Sequence, residues 1–494
     1  MRSIDGSYYA LFGIEALAFA MIVLYLIMSR MNTRTFRETF RYRDKVLVFA
    51  LAAVLAAGCI MQTEAAVTRY QIDHSSKGEH QMQMPGASSQ NQNQDQSQAQ
   101  TSTATGATTV DGTSKTLNDK YTSTKSDQNA ILVTGGGTLT SDGATIDKKS
   151  GDSSNTESSD FSGENAALLV NDNSSATVKN ATITTSAKGG NAVFATGEKS
   201  KISISDSTIT TTGESSSRGL DATYGGTIEA SNVKIKTQGG SCAALATDRG
   251  EGTVSAAKSN LETSGAGSPI IYSTGKISLT DSTGAANGAQ ITVVEGKNSA
   301  TIKNSKLTCS ASGNRGDVDV AGVMVYQSMS GDAGEGTGNF TAADSTLTID
   351  KDSKYYKTAP MFFVTNTDAV IKLSNTTLNY GSGTLLSAKG TDQWGQSGSN
   401  GGDVTFEASD QVLTGDMDLD ELSSLNLDLT ENSTFTGSIN SDNKAKSVAL
   451  ALDKTSKIKL TADTYVSSLK NADTTNSNID FNGFKLYVDG KSIS

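Results

Sequence analysis

The feature that most constrains this chain is an internal repeat in its C-terminal part. Short segments recur, such as "ATVKNATIT" at 176–184, "KISISDSTIT" at 201–210 and "ATIKNSKLT" at 300–308. Each alternates apolar and polar residues, passes an Asn or Asp with a small residue, and alternates again. This pattern predicts two short strands joined by a tight turn. The turn positions are Asn180, Asp206, Asn232, Lys258, Asp281, Asn304, Asp344, Asn375, Asp410, Asn432, Thr455 and Asn476.

The spacing of these turns indicates a solenoid. Most successive turn positions are 21–26 residues apart, and a fixed period of this size is typical of stacked repeats. Leucine-rich repeats need a Leu/Asn consensus that is absent, and propeller blades need about 40 residues each. What remains is an all-β fold, a right-handed parallel β-helix. We expect about 12–13 coils over residues 129–494.

The same alternation predicts the core. Every second residue of a strand points into the narrow interior of the coil. Asn and Asp suit the corners because they tolerate left-handed backbone. The expected core residues are Val178, Ile183, Ile202, Ile204, Ile209, Ile228, Leu307, Leu347, Ile371 and Leu378.

Two apolar segments precede the repeats. Residues 8–28, "YYALFGIEALAFAMIVLYLIM", carry one charge and are long enough to span a bilayer. Residues 46–58 are short for a span and have the length of a signal-peptide core. The basic stretch between the two segments favours a cytoplasmic location for that stretch. Residues 1–30 are therefore either a transmembrane helix or an upstream extension of a protein that starts at Met31.

The second apolar segment ends in a specific motif. The sequence "LAAGC" at 55–59 resembles the lipobox of bacterial lipoproteins. The resemblance implies that residues 31–58 are a lipoprotein-like signal peptide, with cleavage before Cys59 and lipid attached to Cys59. Cleavage after Ala65 and a short second membrane helix are the alternatives. Lipidation or cleavage would place the C-terminal part outside the cytoplasm.

Residues 59–128 form a low-complexity segment that includes "SSQNQNQDQSQAQTSTATGATT". Such a segment cannot bury enough apolar area to offset its conformational entropy, so we expect a flexible tether. The only two histidines, His74 and His80, lie here, and we expect both to be solvated. The net charge of −11 argues against nucleic acid and anionic membrane surfaces as partners.

From about residue 129 onward the chain resembles the adhesin-like, right-handed β-helix surface proteins of gut and rumen anaerobes. The matching phrases include "NAVFATG", "SRGLDATYGGTI" and "YKTAPMFFVTNTDAVIKL". The resemblance implies a cell-surface structural or binding module. The same broad fold also carries pectate lyases and polygalacturonases, so the fold alone does not decide the function.

Catalytic signatures are weak in the repeats. No histidine lies in the solenoid, which argues against polygalacturonase-like hydrolysis and Ser/His/Asp chemistry, so we expect no enzyme. The best carboxylate run is "GDMDLDE", in which Asp416, Asp418 and Asp420 would share one face of a strand. It departs from the EF-hand pattern. We expect a solvated edge with a weak Ca²⁺ site as the alternative, and no other cofactor.

Three consecutive long steps mark insertions between positions 304 and 410. If they stack on one edge of the solenoid, they gather several aromatic residues, with Trp394 the most exposed. Aromatic rings beside Asn, Gln and Asp are typical of sugar-binding sites. The alternative is that the rings fill a widened core. The candidate ligand-binding residues are Tyr326, Tyr355, Tyr356, Tyr380 and Trp394.

Together these observations predict an exported, membrane-anchored β-helix on the outer face of the bacterial cytoplasmic membrane. We expect a non-catalytic, adhesin-like or carbohydrate-binding role. Its partner would be an extracellular polysaccharide or another ligand on a host or bacterial surface. Two alternatives remain: a polysaccharide-active enzyme of the pectate-lyase-like fold and a passive structural spacer.

Overall fold

A computed structural model describes residues 104–313 and 318–493. These residues form the expected right-handed parallel β-helix. Strands that neighbour each other in a sheet are mostly three apart in the chain, because each coil contributes one strand to each of three sheets. The sole helix among the described residues is α1, Thr156–Phe161.

Sheet A has twelve parallel strands, one for each successive coil. Its strands are β1 (Thr105–Asp111), β4 (Gln128–Thr134), β7 (Leu168–Val170), β10 (Val193–Thr196), β13 (Leu220–Thr223), β16 (Leu245–Thr247), β19 (Ile271–Ser273), β22 (Thr292–Glu295), β25 (Val323–Tyr326), β28 (Phe362–Thr365), β31 (Thr384–Ala388) and β34 (Asp416–Leu419).

Sheet B has fourteen parallel strands and is the longest of the sheets described. Its strands are β2 (Ser114–Thr116), β5 (Thr138–Asp142), β8 (Ser175–Lys179), β11 (Lys201–Ser205), β14 (Thr227–Ser231), β17 (Thr253–Ala257), β20 (Lys276–Thr280), β23 (Ser299–Lys303), β26 (Gly338–Ala343), β29 (Thr367–Ser374), β32 (Gly402–Ser409), β35 (Ser424–Thr430), β37 (Ser447–Leu452) and β40 (Ser468–Asn471).

Sheet C has ten parallel strands, and the four-stranded sheet D continues it after a break. The strands of sheet C are β3 (Lys120–Ser123), β6 (Thr145–Lys148), β9 (Thr182–Thr185), β12 (Thr208–Thr211), β15 (Lys234–Thr237), β18 (Asn260–Thr263), β21 (Thr283–Ala286), β24 (Lys306–Cys309), β27 (Thr346–Ile349) and β30 (Thr377–Asn379). Those of sheet D are β33 (Val412–Thr414), β36 (Thr434–Gly437), β38 (Lys457–Leu460) and β41 (Ile479–Asp480).

A small sheet E closes the C-terminal end. It consists of β39 (Thr464–Val466), β42 (Leu486–Val488) and β43 (Lys491–Ser492). The β42–β43 pair is antiparallel, unlike the other strand pairs described, so the chain reverses direction at its end. Such a reversal stops further parallel stacking of coils and protects the edge from pairing with other chains.

The corner between sheets B and C is the turn that the sequence predicts. Each predicted turn residue except Thr455 has a positive φ angle, near 50° in Asp206 and Asn232. These residues also link the coils, since the Asn232 amide donates a 2.7 Å hydrogen bond to the Asp206 carboxylate. Asn304 donates in the same way to Asp281. Asn and Asp therefore supply both the backbone conformation and a polar contact along the axis.

The predicted core is confirmed with one exception. Nine of the ten expected core residues are buried, and Leu378 is only partly buried. Phenylalanines stack in the later coils, where Phe362 lies between Phe340 and Phe406 at ring-centroid distances of 5.9 and 5.6 Å.

The β-helix begins earlier than the sequence indicated. The repeat pattern predicts a start at residue 129, but residues 105–123 already form β1, β2 and β3, which pair with the next coil. The strand "TGATTVD" is built mostly of Thr, Gly and Ala, so its alternation carried little hydrophobic signal. Residues 104–128 are thus part of the solenoid rather than of the tether.

The predicted N-terminal segments, 1–30 and 31–58, lie outside the described residues, as do Cys59 and the tether up to residue 103. Within the described part of the chain, no helix has the length and apolar character needed to cross a membrane.

Candidate functional site

A cleft opens where sheet C ends and sheet D begins. Strands β30 and β33 occupy equivalent positions in successive coils, yet they do not pair with each other. The space between them has a volume of about 540 Å³, which is within the range of about 300–1,000 Å³ found for ligand pockets. We call it the β30–β33 cleft. Its lining residues are Asn375, Thr376, Thr377, Leu378, Tyr380, Gly381, Gly383, Asp410, Gln411, Val412, Thr414 and Gly415.

The cleft interrupts a regular polar ladder at the corner between sheets B and C. In six coils a buried serine directly follows the turn residue and accepts a hydrogen bond from a backbone N–H of the preceding coil. Ser282, for example, accepts from Ser259 N at 3.0 Å and donates to Thr280 O at 2.6 Å. The serine ladder comprises Ser207, Ser259, Ser282, Ser305, Ser345 and Ser433.

Gln411 takes the serine position at the cleft. Its side-chain oxygen accepts from Thr376 N at 2.8 Å, and its side-chain nitrogen donates to Thr376 O at 2.6 Å. The side chain is 2% exposed, so it lies between the two coils rather than in solvent. Gln is longer than Ser, and it satisfies the backbone of Thr376 at a corner where β30 and β33 are unpaired.

Tyr380 bridges the two coils at the far end of the cleft. Its hydroxyl donates to the carbonyl oxygen of Thr414, across the gap between the coils. Burial of the ring, together with the nearby Asp416 carboxylate, raises the pKa of Tyr380, so the hydroxyl stays protonated and can donate. Gly415, with φ of 121°, leaves room for the phenol, because a Cβ there would meet the Tyr380 hydroxyl.

The cleft combines an apolar floor with polar walls. Leu378 forms part of the floor, which explains why this predicted core residue is only partly buried. The exposed side chains of Thr377, Asp410 and Thr414 line the walls, and Val412 at the mouth is 70% exposed. Hydroxyl, amide and carboxylate groups around an apolar surface suit a ligand that has both apolar faces and hydroxyl groups.

The five predicted aromatic residues do not form one group. Three of them lie in connections from sheet C to sheet A: Tyr355 and Tyr356 at 350–361, and Tyr380 at 380–383. Trp394 lies in the connection from sheet A to sheet B at 389–401, and Tyr326 ends β25. The insertions thus fall at two corners of the coil, and the expectation of a single stacked edge was wrong.

Trp394 is buried rather than exposed. Only 6% of its surface is accessible, and it packs with Val293, Met324 and Phe363 on the outer face of sheet A. Tyr326 meets the indole ring edge-on at a centroid distance of 5.2 Å. Its polar sequence neighbours suggested exposure, but the apolar outer face of β22, β25 and β28 needs a cover, and Trp394 supplies it.

Tyr355 and Tyr356 are also unsuited to open stacking. Both are partly buried against the core, and lysines lie over their rings, Lys354 over Tyr355 at 4.5 Å and Lys357 over Tyr356 at 5.1 Å. Tyr356 also packs against Gly381, beside the cleft. Of the five predicted aromatic residues, Tyr380 is therefore the one that lines the β30–β33 cleft.

Asp416 and Asp418 share one face of β34, alternating with the buried residues Met417 and Leu419, whereas Asp420 lies just after the end of the strand. Two of them serve the fold: Asp416 accepts from Ser438 N and Oγ, and Asp420 accepts from Gly390 N and Ser423 Oγ. No group of three or more His, Cys, Asp or Glu in the described ranges is placed to hold a metal ion.

A buried acid–arginine cluster lies on the outer face of sheet A, and the sequence did not predict it. The Arg218 guanidinium is 3.2 Å from Asp160, 2.8 Å from Asp221 and 2.9 Å from Asp248. Asp160 belongs to α1, which therefore covers the sheet here. Arg249 extends the cluster, since it pairs with Asp332 at 2.6 Å and lies 3.9 Å over the Phe161 ring.

Burial raises the pKa values of two aspartates in this cluster. Desolvation, only partly offset by Arg218, raises the pKa of Asp221 to about 6 and also raises the pKa of Asp248. Farther along the same face, burial raises the pKa of Glu295, whose carboxylate accepts from Tyr272 at 2.7 Å and Tyr326 at 2.8 Å. Such shifts mark either a structural ion network or a site of acid–base chemistry.

The side chains of the cluster are shielded from solvent. The Asp221 side chain is fully buried, and those of Arg218 and Asp248 are 11% and 7% exposed. A polymer could not reach Asp221 unless α1 moved. The cluster as it stands pins α1 and the 327–337 connection onto sheet A.

Comparisons with known proteins do not assign a family. No protein-family model, no curated protein and no solved structure matches this chain. Function must therefore be argued from the site itself.

Proposed function

We propose that this protein is an exported, membrane-anchored cell-surface β-helix that binds glycans through the β30–β33 cleft, without catalysing a reaction. The observation that carries the proposal is the break in the ladder at Gln411. At this corner the neighbouring coil pairs are closed by backbone pairing, whereas here two side chains bridge a polar cleft between unpaired strands. A passive spacer has no need of such a gap.

The N-terminal sequence supports the proposed anchoring at the cell surface. The lipobox-like "LAAGC" at 55–59 would attach the chain to a membrane through Cys59, and the polar tether would separate the rod from that membrane. An adhesin-like role follows, in which many anchored copies bind a polysaccharide or a host or bacterial surface at the same time. Weak individual sites then give strong attachment through multivalency.

A glycan array tests the binding part of the proposal. The full-length chain, purified in detergent, is compared with a Val412→Arg variant, whose long side chain would fill the mouth of the cleft. The matched control is Thr208→Arg, because Thr208 is also exposed and also lies two residues after a turn residue. We expect glycan binding by the parent and the control and a loss of at least tenfold in Val412→Arg.

Two array results would refute glycan binding at the cleft. One is the absence of glycan binding by the parent, which would favour the spacer. The other is equal binding by Val412→Arg and the parent.

Lipid attachment has a separate test. We expect Cys59→Ser to abolish metabolic labelling by fatty acid and to release the rod from the membrane fraction. Unchanged labelling would eliminate the lipoprotein interpretation while leaving the cleft proposal intact.

The acid–arginine cluster favours one second candidate, a polysaccharide-active enzyme. Its raised pKa values would suit a general acid, and α1 would have to move to admit a substrate. Release of reducing or unsaturated ends from a plant polysaccharide panel, abolished by Asp221→Asn, would support that candidate. We expect no product from the parent.

A further inference from the structure

We infer that the ligand of the β30–β33 cleft is a short stretch of an uncharged saccharide chain that lies along the strands, and that the cleft rejects uronic-acid and other anionic glycans. This inference rests on the proposed glycan-binding function and adds the chemical class of the ligand. It follows from the charges, the surfaces and the direction of the cleft.

The charges near the cleft are negative. Among its twelve lining residues none is Lys, Arg or His, and Asp410 is an exposed carboxylate on one wall. Asp416 directly follows the lining residue Gly415, and its charge reaches Tyr380, whose pKa it helps to raise. A carboxylate or sulfate in the cleft would lose hydration and meet like charge without a cation to compensate it.

The lining groups suit hydroxyl-bearing ligands instead. Thr377 and Thr414 each carry a hydroxyl that can donate or accept, and Asn375 and Asp410 add further polar groups at the turn end. Leu378 and the Tyr380 ring offer apolar surface to the C–H face of a sugar ring. These groups can satisfy an uncharged sugar without any ion pair.

The positions of Gln411 and Tyr380 at the two ends of the cleft define the direction of the ligand. Gln411 stands at the turn end of the cleft and Tyr380 at the sheet A end, so the cleft runs between coils and parallel to β30. At about 3.3 Å per residue, the three residues of β30 span about 10 Å. A saccharide chain would therefore cross the rod rather than follow its axis, and each molecule would hold one short stretch of it.

Matched probes test the ligand class. The full-length chain is titrated with galacturonic acid oligomers and with the same oligomers after reduction of their carboxyl groups, alongside the neutral and anionic members of the array. Val412→Arg serves as the blocked cleft and Thr208→Arg as its matched control. Cleft-dependent binding is binding that is lost in Val412→Arg and kept in Thr208→Arg. For such binding we expect the Kd of the uncharged member of each matched pair to be at least tenfold lower than that of the anionic member.

Salt provides a second readout. Because no ion pair forms, we expect the Kd for an uncharged ligand to change less than about twofold between about 50 and about 500 mM NaCl. Cleft-dependent binding that is equal or tighter for the carboxylate members would overturn this inference and leave the proposed function standing. If no glycan of either class binds in a cleft-dependent way, the proposed function and this inference both fail.

Discussion

The side chain of Gln411 forms a two-way hydrogen-bond pair with the backbone of Thr376 in the preceding coil, at 2.8 and 2.6 Å. A single amide thus takes the place of the short serine bridge that joins neighbouring coils elsewhere. Strands β30 and β33 begin immediately after these two residues and remain unpaired. Sheets C and D are thus separated at the corner where Gln411 stands in the serine position.

Shortening this side chain should close the cleft. In Gln411→Ser we expect the serine ladder to extend through this coil and β30 to pair with β33, because the ladder spacing then matches that of the other coils. Hydrogen exchange followed by mass spectrometry should show greater amide protection at 376–379 and 412–414, with the urea midpoint equal to or above that of the parent. Glycan binding at the cleft should be lost.

Gln411→Glu is the matched control for this change. It keeps the length but places a carboxylate oxygen against the carbonyl oxygen of Thr376, and we expect a loss of about 1–3 kcal/mol. If Gln411→Ser instead lowers amide protection on both strands, the proposed role of Gln411 as a spacer is wrong.

Trp394 should matter for stability and not for ligand binding. Because it covers Met324 and Phe363 and packs on Tyr326, we expect Trp394→Ala to cost about 3–5 kcal/mol in free energy of unfolding. Its glycan affinity should equal that of the parent. Since Trp394 is the only tryptophan, the parent should also show blue-shifted emission that acrylamide quenches poorly. A red emission maximum that shifts on glycan addition would contradict the structure.

The repeat and most of its core could be predicted because they rest on local chemistry. An Asn or Asp with positive φ and an apolar residue at every second position are visible in any single coil, as at Asp206 and Ile209. The cleft had a local signal too, since Gln411 stands where most other coils carry a serine. Its meaning becomes clear only once successive coils are aligned.

The sites on the outer face of sheet A could not be predicted in the same way. Arg218 contacts Asp160 and Asp248, which come from other coils and meet it only in the folded solenoid. Trp394 is covered for the same reason, because its apolar partners come from three other strands. Alternation specifies which residues face outward, but not which loop folds back over them.

Removing the central cation of the cluster should be strongly destabilising. In Arg218→Met, Asp160, Asp221 and Asp248 would be left without their shared partner in a buried site, so we expect a loss of about 3–5 kcal/mol by urea denaturation. The control is Lys201→Met, which removes an exposed 2.7 Å pair with Glu229 and should change stability by about 1 kcal/mol or less. Similar losses in the two variants would show that the cluster contributes no more than a surface pair.

The cluster should also give the stability a distinct pH dependence. Burial raises the pKa of Asp221 to about 6 in the folded protein, whereas an unfolded aspartate titrates near its ordinary value of about 3.9. Between these values the folded state binds more protons than the unfolded state, so this group makes the unfolding free energy fall as pH rises from about 4 to about 6. We expect Asp221→Asn to flatten that fall, measured as urea midpoints at several pH values.

Asp453 provides a control of opposite sign. Burial opposes its ionisation, but hydrogen bonds from the backbone N–H groups of Glu431, Thr455 and Ser456 hold the pKa of Asp453 well below its usual range. Its contribution to stability is therefore present above about pH 4 and is lost at lower pH. Asp453→Asn should lower the urea midpoint at pH 7 and leave the fall between about pH 4 and about pH 6 unchanged. If Asp221→Asn keeps the parent's full slope, Asp221 is not the group that titrates in this window.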